Sequence, residues 1–205
     1  MAIELILPDS GRVELTDTFR PRGRALNGLG DSVQAQLFWH SLDTTLSVLD
    51  STTGATLPKF LGTGRLQVHT GNLFSNPQTV RILERLDSLR AAGATRDTLF
   101  VTPVPPDTLA DSLSDSLSVQ AYAFGGSPAA RRVVYSFTTY PGIGPMVTLL
   151  PNDTVLTDSQ GLAVTRLRLQ KGGTVPDSVV VTATMRHVNG MLVPTPVTFV
   201  VEFRQ

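Results

Sequence analysis

Apolar and polar side chains alternate with a period of two through most of this chain, the spacing of strands that bury one face and wet the other. Val33, Ala35, Leu37 and Trp39 share one side of a run whose other side carries Gln34, Gln36 and His40, with Phe38 interrupting the polar face. Leu117, Val119, Ala121 and Ala123 repeat the pattern, as do Val133, Tyr135 and Phe137. Val179, Val181, Ala183 and Met185 oppose Thr182, Thr184 and Arg186, and Val197, Phe199, Val201 and Phe203 oppose Thr198, Val200, Glu202 and Arg204. Turn formers separate these runs: Pro8-Asp9-Ser10-Gly11, Thr53-Gly54, Gly125-Gly126, Gly172-Gly173 and Asn189-Gly190. Asn-Gly between two alternating runs is a strong hairpin signal, so 178–188 and 191–203 are expected to pair antiparallel. The pattern predicts an all-β chain.

One stretch breaks the period. Ile82, Leu86 and Leu89 sit at helical spacing among Leu, Arg, Glu and Ala, which admits a short linker helix near 82–92. The alternative is a strand ending near Leu83 and an extended connector running through Asp87 to Gly93. Both put a domain boundary at about residues 84–96, giving domains over 1–88 and 95–205. Residues 107–118 carry a short Asp-Ser-Leu repeat behind Pro103, Pro105 and Pro106. That segment reads as a loop leading into the strand at Leu117, because Ser and Asp favour turns over helix interiors.

A chain of 205 residues suits two sandwiches of about 100 residues each. Domains of that size fold without covalent staples, which matters because the chain has no cysteine. Disulfides, thiolate-bound zinc, iron–sulfur clusters and cysteine nucleophiles are therefore excluded. The formal charge is zero and stays balanced on division, nine basic and nine acidic side chains in 1–92 and eight of each in 93–205. Nucleic acid and anionic lipid both call for a basic excess, so neither is a favoured partner. Arg20, Arg22 and Arg24 could contact an acidic partner, but read first as a solvated loop. No apolar run reaches the ~20 residues of a membrane-spanning helix. The first eight residues lack the basic start, apolar length and cleavage site of a signal peptide, so either the protein stays in the cytoplasm or an export signal has been removed.

Trp39, Ser41, Asp43, Val48, Asp50 and Gly54, with the Gly62–Val68 return, resemble the strand-Trp, Ser-x-Asp turn and Val-x-Asp strand of bacterial immunoglobulin-like domains of group 2. This resemblance spans about residues 3–83; Leu57–Leu61 departs from it and marks a specialised loop. Thr157, Asp158, Gly161 and Ala163 resemble the Thr-Asp-x-x-Gly-x-Ala signature of the group 1, invasin-like domains. Asp177–Thr184 and Pro196–Phe203 are similar to the last two strands of that group. The resemblance implies two tandem Greek-key β-sandwiches serving as spacer, adhesion or docking modules at the bacterial surface or in the periplasm, with no catalytic residues.

Candidate chemistry is sparse. His40, His69 and His187 fall on the polar sides of separate strands and read as exposed sheet histidines with nothing to bring them together. No Gly-x-Ser-x-Gly elbow is present to mount a nucleophile. Asp107, Asp111 and Asp115 lack the alternating ligands and central glycine of a calcium loop; Asp153 and Asp158 flank a turn and read as backbone caps. The Gly-Gly pairs lack the Gly-Lys-Ser/Thr of a phosphate cradle. No enzyme activity, cofactor, metal or small-molecule ligand is expected. Apolar residues on polar faces are the better lead: Phe38, Leu57, Phe60, Leu61, Phe74, Tyr122, Phe124 and Tyr140 are candidate contacts for a protein partner, since aromatics are enriched at interface cores. The leading expectation is a non-catalytic spacer or docking unit outside the cytoplasm, periplasmic or at the cell surface. A rival is a membrane-extrinsic periplasmic subunit stabilising a membrane protein complex, for example a photosynthetic reaction centre with its antenna. A third, a carbohydrate-binding accessory module, needs a planar aromatic platform, and the single Trp reads as core.

Overall fold

Chain contacts divide the protein into two units, Met1–Arg85 with His187–Gly190, and Leu86–Arg186 with Met191–Gln205. The computed structural model describes residues 1–101, 103–104, 108–109, 113–124, 126, 128–141, 147–170 and 175–204. Pro105, Pro106, Asp107, Asp111, Gly125, Gly172 and Gly173, singled out above, lie outside the described residues.

The first unit opens with β1 (Ala2–Ile6), a left-handed turn through Asp9 and Ser10 (φ 48° and 56°), β2 (Arg12–Glu14), β3 (Arg22–Leu26) and β4 (Ser32–Val33). It continues through β5 (Phe38–Ser41), β6 (Leu46–Asp50), β7 (Ala55–Pro58), β8 (Gly62–Thr70), β9 (Leu73–Phe74) and β10 (Gln78–Leu83). One sheet has the order β2-β10-β8-β5, and β2 runs parallel to β10. Facing strands form a β1-β3-β4 sheet and a β6-β7 hairpin. Reciprocal backbone bonds between Phe19 and Thr56, 3.0 and 2.9 Å, tie the hairpin to the segment ahead of β3. Ile3, Leu5, Val13, Trp39, Leu46, Leu66, Val68, Val80 and Ile82 fill one core from these pieces.

The second unit comprises β11 (Arg85–Ala91), β12 (Arg96–Phe100), a small β13 (Pro103–Val104) and β14 (Thr108–Leu109) pair, β15 (Leu117–Phe124) and β16 (Arg132–Tyr140). Then come β17 (Val147–Leu150), β18 (Thr154–Leu156), β19 (Leu162–Leu169), β20 (Ser178–Met185) and β21 (Val197–Arg204). Its sheets have the orders β11-β15-β19-β17 and β12-β21-β20-β16-β18, and β12 runs parallel to β21. The inward rows expected from alternation are buried: Leu117, Val119 and Ala121 on one sheet, Val179, Val181, Ala183, Met185, Val197, Phe199, Val201 and Phe203 on the other. Both sheets close on this single core, which makes the unit a two-layer sandwich. The Tyr135 hydroxyl on β16 crosses between the layers and donates to the Ala163 carbonyl of β19 at 3.0 Å, with the Leu117 carbonyl of β15 at 3.3 Å. Burial raises the Tyr135 pKa, so the phenol stays protonated and a donor.

Two local expectations are corrected. Residues 82–92 hold no linker helix: β10 and β11 run through them, and Ile82, Leu86 and Leu89 are all buried. Leu86 and Leu89 both face inward despite their odd spacing, and a side chain holds the Leu89 backbone: the Thr195 hydroxyl donates to the Leu89 carbonyl at 3.3 Å and accepts from its N–H at 3.5 Å. An irregular strand thus imitates a helical repeat. The run from Val33 to Trp39 is not one strand either. Val33 belongs to β4, Trp39 to β5 in the other sheet, and the chain changes layer between them. The Asn189-Gly190 expectation holds, since β20 and β21 pair antiparallel and Gly190 takes φ 86°.

Candidate functional site

The residues of the Trp39 motif prove to be structural, each for a distinct reason. Ser41 Oγ donates to the Asp43 carbonyl at 2.6 Å and accepts from the Asp43 N–H, closing the turn. The Asp43 carboxylate then accepts the Arg65 backbone N–H at 2.8 Å and two guanidinium bonds at 3.0 and 2.9 Å. The hydrogen bonds from the Arg65 side chain hold the Asp43 pKa below its ordinary value. Asp50 accepts from the Thr52 N–H at 2.8 Å and from the Thr52 and Thr53 hydroxyls at 2.7 and 2.8 Å, and these bonds, Thr52 foremost, pull its pKa down to about 2. Gly54 has φ 72° and lies so close beneath Trp39 that a Cβ would sit 3.0 Å from the indole.

In the second unit, Asp158 caps the Gln160 and Leu162 N–H groups at 2.8 and 2.9 Å. Gly161, at φ 84°, leaves no room for a Cβ, which would fall 2.9 Å from the Ala121 carbonyl. Thr157 is buried; its hydroxyl donates to the Pro128 carbonyl and accepts from the Arg131 N–H. These side chains shape turns.

Asp50 supplies a pH test. Its folded pKa lies below the ordinary 3.8, so the ionised carboxylate stabilises the fold above that value and the contribution is lost as pH falls toward 2. Asp50→Asn should therefore flatten the dependence of the unfolding midpoint on pH between about 4 and 2, read from urea titrations at stepped pH.

The partner-contact candidates are divided between the two units. Phe38 is half-buried on β5 and Phe74 is exposed on β9. Leu57 is half-buried on β7, and Phe60 and Leu61 are exposed in the turn that follows it. Tyr122 and Phe124 are exposed on β15, where the Arg90 guanidinium lies 5.3 Å from the Tyr122 ring centre, within cation–π range. Tyr140 is exposed at the end of β16, in the opposite sheet.

The histidines depart most from expectation. None is fully exposed, and two of them meet. β5 and β8 pair antiparallel with Phe38 opposite His69 and His40 opposite Gln67, which makes His40 and His69 diagonal neighbours. Their ring centres are 5.4 Å apart, and Phe74 stacks on His69 at 5.1 Å while Phe38 lies 5.8 Å from it. His187 is not an exposed sheet residue: within the first unit its Nδ1 lies 2.7 Å from the carboxylate of Glu14, whose side chain is wholly buried. The sequence offered no signal for either pairing, because both join positions far apart in the chain. Among the described residues, no three or more His, Cys, Asp or Glu side chains cluster as metal ligands.

In the second unit, β11, β15, β19 and β17 take the A-B-E-D places of the constant-type immunoglobulin sandwich, and β21, β20 and β16 take G, F and C. Strand β18, which pairs with β16 after β17 has already joined the other sheet, is a departure from that plan. In the first unit, β2-β10-β8-β5 repeats the order of β12-β21-β20-β16, including the parallel entry strand. The protein is thus an all-β chain of tandem immunoglobulin-like sandwiches.

No protein-family profile matches the chain, and no curated protein matches it. Among solved structures it is similar to domains 4 and 5 of the S-layer protein SbsC, at 12% identity over 100% of this chain and 98% of that one, with a TM-score of 0.36. The Yersinia pseudotuberculosis adhesin InvE is 17% identical over 96% of this chain and 58% of its own, TM-score 0.39. The D00-D0 domain of intimin is 15% identical over 96% and 98%, TM-score 0.31. At these values the fold assignment rests on the strand order itself.

Proposed function

We propose that this chain is a non-catalytic spacer and docking protein acting outside the cytoplasm, with residues 1–88 and 95–205 as its two modules. The observation that supports this reading is the use made of the conspicuous side chains. Motif residues close turns, the inward rows fill each core, and large apolar groups remain on outer surfaces. Phe60, Phe74, Tyr122, Phe124 and Tyr140 are each about half exposed or more, the kind of aromatic that anchors a protein interface. On the motifs quoted above, the first module is assigned to the group 2 bacterial immunoglobulin-like domains and the second to the invasin-like group 1. The partner is a protein held by these outer faces.

Brief protease treatment of intact cells, with and without outer-membrane permeabilisation, tests the location. Digestion on intact cells, or only after permeabilisation, supports a surface or periplasmic site respectively. Survival under both conditions with recovery in the cytosolic fraction overturns the reading.

A further inference from the structure

We propose that His40 and His69 form a two-histidine site for a borderline divalent transition ion of the Cu²⁺, Ni²⁺ and Zn²⁺ class. The pairing of β5 with β8 brings the two imidazoles together edge to face, ring centres 5.4 Å apart and planes at 70°. Metal–nitrogen bonds of about 2.0–2.1 Å place two imidazoles sharing one ion at a ring separation of this order. His69 is already oriented for the role. Its Nδ1 lies 3.2 Å from the Gly71 carbonyl oxygen, which can only accept, so Nδ1 carries the proton and Nε2 keeps its lone pair. Metal-binding histidines commonly anchor their second nitrogen in this way.

His40 supplies an independent observation. Its Nδ1 is sealed from solvent and has no hydrogen-bond partner. Buried polar atoms left unpaired are rare and are often accounted for by an ion or water. A cation on His40 Nδ1 and His69 Nε2 gives both nitrogens a partner. Phe74 and Phe38, at 5.1 and 5.8 Å from the His69 ring, restrict how far it swings. The all-nitrogen donor set favours Cu²⁺ first and disfavours Ca²⁺ and Mg²⁺.

Calorimetric titration of the full chain with Cu²⁺, Ni²⁺ and Zn²⁺ tests the site. One ion per chain is expected, with affinity at least about tenfold weaker in His40→Gln and in His69→Gln and unchanged in Phe124→Ala. Paramagnetic broadening by Cu²⁺ in the unmodified protein gives a reading independent of variant folding. At substoichiometric metal the imidazole signals of His40 and His69 should vanish while that of His187 persists. Absence of saturable binding at about 1 mM free metal, unchanged affinity in the double variant, or equal broadening of all three histidines overturns the proposal.

Discussion

Tyr135→Ala is expected to lower the unfolding free energy of the second sandwich by about 3–5 kcal/mol, the range for deleting a large aromatic from a closed core. The side chain is 1% exposed, and its ring stands among residues of both sheets. Alanine leaves a cavity where the layers meet, and the Ala163 and Leu117 carbonyls lose the hydroxyl that lies 3.0 and 3.3 Å away. Tyr135→Phe separates the two losses. It keeps the ring, removes the donor, and should cost about 1–2 kcal/mol. Urea unfolding followed by circular dichroism reads both; an alanine variant no weaker than the phenylalanine variant would show that the ring contributes nothing beyond its hydroxyl.

Trp39→Ala should have an effect of similar size in the first unit, about 3–5 kcal/mol. Trp39 packs with Leu46, Leu66 and Val68 in a core of nine buried residues, so one indole is a large share of it. Its Nε1 is buried with no partner, so shape and apolar area carry the contribution. Trp39→Phe should accordingly lose clearly less than Trp39→Ala. The glycine beneath the indole gives a complementary reading. Gly54→Ala adds a Cβ 3.0 Å from the ring at φ 72°, which is expected to cost about 1–3 kcal/mol. Equal stability of Trp39→Ala and the parent would remove the indole from the core.

Strand assignment was readable where one strand lies in one sheet from end to end. Leu117 to Ala121, Val179 to Met185 and Val197 to Phe203 alternate without interruption, and all these inward positions are buried. Reading failed where a strand is irregular or changes layer. Leu86 and Leu89 imitate a helix because both are buried although three residues apart on one strand. Val33 and Trp39 share a period but end up in different sheets. The motif around Trp39 was visible as a turn signature, and Asp43 and Asp50 do serve turns in the fold; the bond of Asp43 to Arg65, 22 residues away, was not visible. The histidine pair was invisible for a simpler reason. Alternation tells which side of a strand a residue takes but not which strand lies beside it, and β5 meets β8 across the intervening β6-β7 hairpin.

The parallel entry strands carry a mechanical consequence. Tension applied to the chain before Arg96 and beyond Arg204 pulls β12 and β21 in opposite directions along their length, so the bonds between them are loaded together in shear rather than unzipped singly. The first sandwich carries the same arrangement between β2 and β10, but over three paired positions against five. Under a force that reaches both clamps, five paired positions share the load in the second sandwich against three in the first.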